Sequence, residues 1–195
     1  MDLEGELVLR AASPDDCKPL AKLHFLIHTT SFAEFAEQQW VEARKIEDYF
    51  ALWCEYLNEQ PERERTWIAE IRSKIVGTVT IMNLESSSRL FRPSSLEPPY
   101  RSKVACLRLM YVHPDFQRQG IGRALLEASD RFLQMQGYQA ASLITHAVKE
   151  SARAFYEQMG WRLDEIFKQQ VEEFFEEPAR MRLRARYVRV LGKRF

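Results

Sequence analysis

The chain has 195 residues, 46% of them apolar and 12% aromatic, with 28 basic and 28 acidic side chains and a net charge of zero. That length and apolar share suit one domain, here 5–192, with a substantial core. The charge balance excludes the basic footprint of a general nucleic-acid binder, and no run reaches the ~18 apolar residues a membrane span needs.

The opening stretch, MDLEGELVLR, is acidic and lacks the apolar core of a signal peptide. Cys17, Cys54 and Cys106 are odd in number and far apart, with no C-x-x-C. They read as buried thiols of a cytoplasmic protein, and neither a disulfide nor a metal site is expected.

Leu7 to Arg10 predicts a short strand. Ser13-Pro14-Asp15-Asp16 is a helix start: Ser13 can cap, Pro14 suits the first helical position, and Asp16 completes a capping box. Leu20, Ala21, Leu23 and Ile27 form the apolar face of that helix. Thr29 to Ala36 is a break. A second helix is predicted over 37–58, with Trp40, Ile46, Tyr49, Phe50, Trp53 and Leu57 near helical spacing. After a charged turn containing Pro61, residues 66–71 and 74–82 read as strands joined by Arg72-Ser73, a hairpin.

Residues 84–102 carry no periodicity and are rich in Ser, Pro and Arg. A loop of this length is either a solvated connection or a functional cover. Its apolar residues Leu90, Phe91, Leu96 and Tyr100 suit a cover that orders on binding.

Residues 107–126, LRLMYVHPDFQRQGIGRALL, organise the rest. Leu107 to Val112 is an apolar, aromatic and β-branched run, as a buried strand requires, and His113-Pro114-Asp115 stops it. Gln117 to Gly122 is polar with two glycines. It opens into a helix with Ile121, Leu125, Ala128 and Phe132 on one face. A strand, a glycine turn and a helix start make an anion site, because first-turn N–H groups lack partners and the macrodipole is positive there. The spacing is not G-x-x-x-x-G-K-[ST]. Nor is it G-x-G-x-x-G, since position 125 is Leu.

Gly137 is a helix C-cap candidate. Residues 140–147 predict a strand, 151–159 a short helix closed by Gly160, and 161–167 and 181–190 two final strands. Glu172, Glu173, Glu176 and Glu177 lie between those strands. Arg180, Arg182, Arg184 and Arg186 alternate with Met181, Leu183, Ala185 and Tyr187, which reads as an exposed arginine face paired with neighbouring acids.

The pattern Gln117-x-x-Gly120-x-Gly122 after V-H-P resembles motif A, [RQ]-x-x-G-x-[GA], of the GNAT superfamily of acyl-CoA-dependent N-acetyltransferases. Residues 143–161, LITHAVKESARAFYEQMGW, resemble the second signature of that family. Leu143, Ala152, Tyr156 and Gly160 match it, and Trp161 stands for Phe. Lys149 replaces the usual Asn, which puts that contact to the pantetheine arm in question.

The element order agrees, so the resemblance implies an α/β (α+β) GNAT-like three-layer fold. A central mixed, mostly antiparallel sheet would be flanked by helices. It further implies transfer of an acetyl group from acetyl-CoA to a primary amine, by direct attack in a ternary complex. An acyl-CoA sensor or scaffold of the same fold is the alternative. The resemblance places the coenzyme A pyrophosphate on Gln117, Arg118, Gln119, Gly120, Ile121, Gly122 and Arg123. It places the pantetheine arm along Met110, Tyr111 and Val112, near Lys149, with the Val112 N–H as donor to the thioester carbonyl. Tyr156 becomes the candidate general acid. His146, at a strand end, is either a proton relay or an ordinary polar residue. Residues 104–112 contain no acid, so no base is assigned. The amine acceptor is unspecified, no nucleic acid or membrane partner is expected, and the protein is a monomer or homodimer.

Overall fold

The computed structural model describes residues 6–34, 36, 38–84, 92–96, 100, 103–171 and 180–192. The chain runs through β1 (Val8–Ala11), α1 (Cys17–Thr29), α2 (Gln38–Glu42), α3 (Ile46–Asn58), β2 (Arg65–Ile71), β3 (Lys74–Asn83) and β4 (Val104–Val112). It continues through α4 (Ile121–Met135), β5 (Ala140–His146), α5 (Glu150–Gln158), β6 (Arg162–Val171) and β7 (Arg180–Val190). The sheet order is β1-β2-β3-β4-β5-β7-β6. β4 pairs in parallel with β5, while β1–β2, β2–β3, β5–β7 and β6–β7 are antiparallel. This is the mixed, mostly antiparallel sheet flanked by helices that the sequence predicted. No helix among the described residues is long and apolar enough to cross a membrane.

The chain forms two compact units. The first runs up to Ile81 and includes Leu109–Phe132. The second holds Met82–Arg108 and the chain from Leu133 onward.

In the first unit, Ser13 donates from its N–H to Asp16 Oδ2 at 2.8 Å, as the capping box requires. The same carboxylate takes two bonds of 2.8 Å from Arg10, which also pairs with Glu70 at 2.7 Å. One guanidinium thereby ties β1, the start of α1 and β2 together. The β2–β3 hairpin turns on Arg72 and Ser73 at φ 50° and 60°. Two positive φ values match the right-handed twist of the flanking strands, as in a type I′ turn. Leu20, Leu23 and Ile27 of α1 and Tyr49, Trp53 and Leu57 of α3 pack on Ile68 and Ile75 of the sheet. Each such side chain contributes about 1.5–3 kcal/mol on burial.

The single helix predicted over 37–58 is two helices. The Arg44 N–H turns back to the Val41 carbonyl at 3.2 Å, and Lys45 is extended at φ −121°, ψ 134°. Arg44 is 6% exposed. Its Nε donates to the Trp40 carbonyl at 2.9 Å and its guanidinium lies 4.3 Å from the Trp40 ring centre. Folding the guanidinium over its own helix end closes α2 and redirects the chain into α3. Helical spacing of apolar residues carries straight across such a break, so periodicity did not reveal it.

Gly77 of β3 sets how closely α4 sits. A Cβ there would meet Ile121 and Leu125 at 3.1 Å and the Tyr111 carbonyl at 3.2 Å. The bare glycine lets the first turn of α4 rest on the strand.

In the second unit, α4 ends in a Schellman motif on Gly137, at φ 76°. The Gly137 N–H reaches the Gln134 carbonyl and the Tyr138 N–H reaches Leu133, both at 3.0 Å. The arginine face of β7 differs from the expectation. Arg186 is buried, and its partners are Asp164 at 2.6 Å and Glu165 at 2.5 Å on β6. Both faces of β7 are covered at this register, so Ala185, Arg186, Tyr187 and Val188 are all buried. Part of the 84–102 loop is fixed as well. The Ser95 N–H donates to Asp164 at 2.8 Å, the Ser94 N–H at 3.1 Å, and Leu96 is buried. Leu90, Phe91, Glu172, Glu173, Glu176 and Glu177 lie outside the described residues.

Candidate functional site

The glycine turn has the geometry its sequence implied. β4 ends, Pro114–Phe116 makes one 3₁₀ turn, and the chain crosses 117–120 to reach α4. Arg118 sits at φ 62° and Gly120 at φ 82°. An L side chain rarely adopts the latter conformation, so glycine is needed there for its backbone. A Cβ at Gly120 would meet nothing within 4 Å, so the space over the turn is open. The first bond of α4 runs from the Ala124 N–H to the Gly120 carbonyl at 3.0 Å. The N–H groups of Ile121, Gly122 and Arg123 come before it, at the positive end of the helix. Gln117, Arg118 and Arg123 are exposed and Gln119 is half-buried. The Ile121 side chain is buried in the core, which leaves only its backbone for a ligand. Gln117 Nε2 donates to the Val112 carbonyl at 3.1 Å and Gln119 Nε2 to the Asp115 carbonyl at 3.1 Å. These bonds hold the turn in shape from below.

Met110, Tyr111 and Val112 form the last part of β4, directly before this turn. The registered pairing of β4 with β5 runs from Val104↔Ala140 to Leu107↔Leu143. Leu109 then takes φ 50°. A non-glycine residue with positive φ inside a strand is uncommon and interrupts a ladder. It leaves no mark in an apolar run, and the sequence did not disclose it.

Tyr156, Lys149 and His146 belong to the second unit. Lys149 caps α5: its N–H reaches the His146 carbonyl at 3.1 Å, and its own carbonyl receives the Ala152 and Arg153 N–H groups, each at 3.1 Å. Tyr156 is 9% exposed and lies in an aromatic group, with ring centres 5.3 Å from Phe155, 6.0 Å from Tyr187 and 6.3 Å from Trp161. The helix end explains the cluster. Gly160, at φ 78°, closes a second Schellman motif, and the Trp161 N–H bonds the Tyr156 carbonyl at 3.0 Å. That motif brings Tyr156 and Trp161 into the hydrophobic contact that usually accompanies it. Burial pushes the Tyr156 phenol well above its ordinary range, so it holds its proton at every ordinary pH.

His146 Nε2 lies 2.7 Å from Arg184 Nη1. A guanidinium only donates, so this nitrogen accepts. Arg184 thus has His146 as one of its partners.

The sequence reading missed a buried group in the first unit. His24 Nε2 lies 3.2 Å from His28 Nε2 and 3.0 Å from the Tyr111 hydroxyl, and His28 Nδ1 lies 2.8 Å from the Tyr49 hydroxyl. The signal was the i, i+4 spacing of the two histidines on one helix face, but their partners are distant in sequence. Burial, with His28 beside it, holds His24 well below its usual range. Burial, with Arg44 nearby, holds His28 down to about 3. Among the described residues no group of three or more His, Cys, Asp or Glu is placed to hold a metal ion.

A family model described as an acetyltransferase (GNAT) domain matches residues 62–163, which include β4, the glycine turn, α4, β5 and α5. The chain belongs to the GNAT acetyltransferase family. Among its relatives, N-acetyltransferase family 8 member 3 of Rattus norvegicus is 29% identical over 96 residues, 49% of this chain and 37% of that protein. Human N-acetyltransferase 8B is 30% identical over 115 residues, 59% of this chain and 43% of its own length. The chain therefore matches less than half the length of these relatives. Among solved structures, PaiA N-acetyltransferase from Thermoplasma acidophilum, in complex with coenzyme A, superposes with a TM-score of 0.68 at 13% identity. The match covers 95% of this chain and 99% of that one. YncA from Salmonella typhimurium, with its cofactor acetyl-CoA, gives 0.67 at 13% identity over 97% and 96%. At such identity these two likenesses establish the fold.

Proposed function

We propose that this chain is an N-acetyltransferase that moves an acetyl group from acetyl-CoA to a primary amine, by direct attack in a ternary complex. The observation that carries the reading is the turn at the head of α4. Gly120 has a conformation that favours glycine, open space above it, and three backbone N–H groups following at the positive end of a helix. A diphosphate fits that arrangement in charge and in donors. Gln117 to Arg123 would hold the pyrophosphate, with Arg118 and Arg123 supplying charge. Met110, Tyr111 and Val112 would hold the pantetheine arm through their backbone, with the Val112 N–H placed for the carbonyl oxygen that gains charge. Lys149 would lie along the same arm. Tyr156 would protonate the departing thiolate. In this reading residues 5–192 act as a single domain.

The experiment is thioester turnover against a panel of primary amines, with coenzyme A binding measured alongside by calorimetry. Amine-dependent release of free thiol is expected. Tight acetyl-CoA binding without release to any amine would replace the enzyme with an acyl-CoA sensor. Failure to bind coenzyme A at all would remove both.

A further inference from the structure

α1 turns both of its histidines into the core shared with α3. His24 is 3% exposed. Its Nε2 faces two groups, the Tyr111 hydroxyl at 3.0 Å and His28 Nε2 at 3.2 Å. Its Nδ1 has no hydrogen-bond partner among the described residues. An orphaned polar atom at such burial costs stability and calls for a reason. The rest of the group is aromatic. Tyr49 and Tyr111 lie with ring centres 4.7 Å from His24, and Phe32 and Trp40 lie 4.6 and 5.3 Å from His28.

Tyr111 connects this group to β4. It stands between Met110 and Val112 and is half-buried, as are its strand neighbours. β4 itself offers no alternative base: residues 104–112 contain no carboxylate, and Cys106 is fully buried. We propose that Tyr111 takes the proton from the attacking amine and that His24, seconded by His28, is the base behind it. This rests on the acetyltransferase reading above.

The protons balance as follows. With its proton on Nδ1, His28 donates to the Tyr49 oxygen at 2.8 Å and presents a bare Nε2 to His24. The Tyr111 hydroxyl donates to His24 Nε2, which puts the His24 proton on Nδ1, so at rest the 3.2 Å contact between the two Nε2 atoms carries no hydrogen and gains one only on transfer. As the amine nitrogen bonds to the acetyl carbon it becomes positive and its N–H turns acidic. That proton moves to the Tyr111 oxygen while the Tyr111 proton moves to His24 Nε2. It then lies between two imidazoles 3.2 Å apart, where His28 accepts it as a hydrogen bond. The carbon–sulfur bond breaks, and the thiolate takes its proton from a separate donor. Loss of one proton to water resets the histidines. Burial keeps both rings neutral at rest, as a proton acceptor must be, and makes them return the proton readily. His24 and His28 touch no substrate in this scheme and act through Tyr111.

Tyr111→Phe and His24→Gln test it, with acetyl-CoA and an amine that the parent acetylates. Phe keeps the ring. Gln keeps a hydrogen-bonding group but cannot take up a proton at neutral pH. Both should lower kcat by ~10²–10⁴-fold, with KM for acetyl-CoA and calorimetric coenzyme A affinity little changed. The parent should show a solvent deuterium isotope effect on kcat that Tyr111→Phe abolishes. Turnover by both variants within about threefold of the parent, far inside the general-base range, overturns the proposal. So does a Gln variant that turns over normally while the Phe variant fails, since His24 is then only a packing group. If His24→Gln does not fold, Tyr111→Phe and the isotope effect decide alone. A parent that acetylates no amine fails at the earlier step and takes this proposal with it.

Discussion

Two tyrosines, each in its own unit, show how differently one phenol can be prepared. Tyr156 is enclosed by three aromatic rings at the end of α5, and burial raises its pKa without a charged neighbour contributing to the shift. Tyr111 is half-buried and hydrogen-bonded to a neutral imidazole. The first environment keeps a proton on oxygen. The second offers that proton somewhere to go. On the proposed reading, proton donation and proton acceptance would fall to different phenols, each prepared by its own packing.

The sharpest way to break this comparison is Tyr156→Phe. The substitution removes one hydroxyl and keeps the ring that meets Trp161, so folding and coenzyme A binding should be nearly unchanged. If the phenol is the general acid, kcat should fall by ~10²–10⁴-fold, with KM for acetyl-CoA little altered. A raised pKa makes donation harder, so the effect should lean to the lower part of that range. Turnover within about threefold of the parent would leave Tyr156 as the hydrophobic partner of a helix cap and nothing more.

The contrast also shows what kind of site a sequence discloses. The helix that carries Tyr156 and its glycine cap were legible because the pattern is local: Ala152, Tyr156 and Gly160 recur at fixed intervals along one short helix and its cap. The glycine turn was legible for the same reason, as were the capping box at Ser13 and the Gly137 cap. The His24 group was not, because residues 24, 28, 49 and 111 come from two helices and a strand, and no spacing rule joins them. Arg186 was misread on similar grounds. Alternation places it on one face of β7, but only the register with β6 puts Asp164 and Glu165 against it. Periodicity assigns faces, and tertiary pairing decides whether a face is open.

Acid should separate the two regions by its pH window. His24 and His28 have folded pKa values below the unfolded value of ~6.5, so the unfolded chain binds their protons first. Their contribution is full above about pH 6.5 and is lost as pH falls toward the folded values, about 3 for His28. Burial alone would raise Asp164. The bonds from Ser95, Arg186 and Ser94 outweigh it and hold the carboxyl down to about 2. Its contribution, about 2 kcal/mol, is present above ~pH 4 and is lost as pH falls through about 2. Urea midpoints from pH 7 to pH 2 check both. His28→Gln should flatten the upper part of the curve and Asp164→Asn the lower part. Parallel curves for parent and both variants would mean that neither environment is linked to folding.

The smallest expected effect on stability makes the finest distinction, and it concerns the two ends of α4. Gly120 at the head and Gly137 at the tail have nearly the same backbone, φ 82° and 76°, and at both an added Cβ meets nothing within 4 Å. Alanine at either position must adopt a conformation costing about 1 kcal/mol, so both variants should lose similar stability. Their chemistry differs. The head presents N–H groups and positive potential, and the tail presents carbonyls already closed by the Schellman bonds. If the phosphates of coenzyme A lie over the head, Gly120→Ala puts a methyl group into their approach and disturbs the N–H groups that receive them. Its affinity for coenzyme A should fall roughly tenfold, about 1.4 kcal/mol, while Gly137→Ala binds as the parent does. Calorimetry with coenzyme A on the two folded variants measures the difference. Equal affinities would show that the turn next to Tyr111 serves only to start a helix, and the phosphate site would then have to be sought elsewhere.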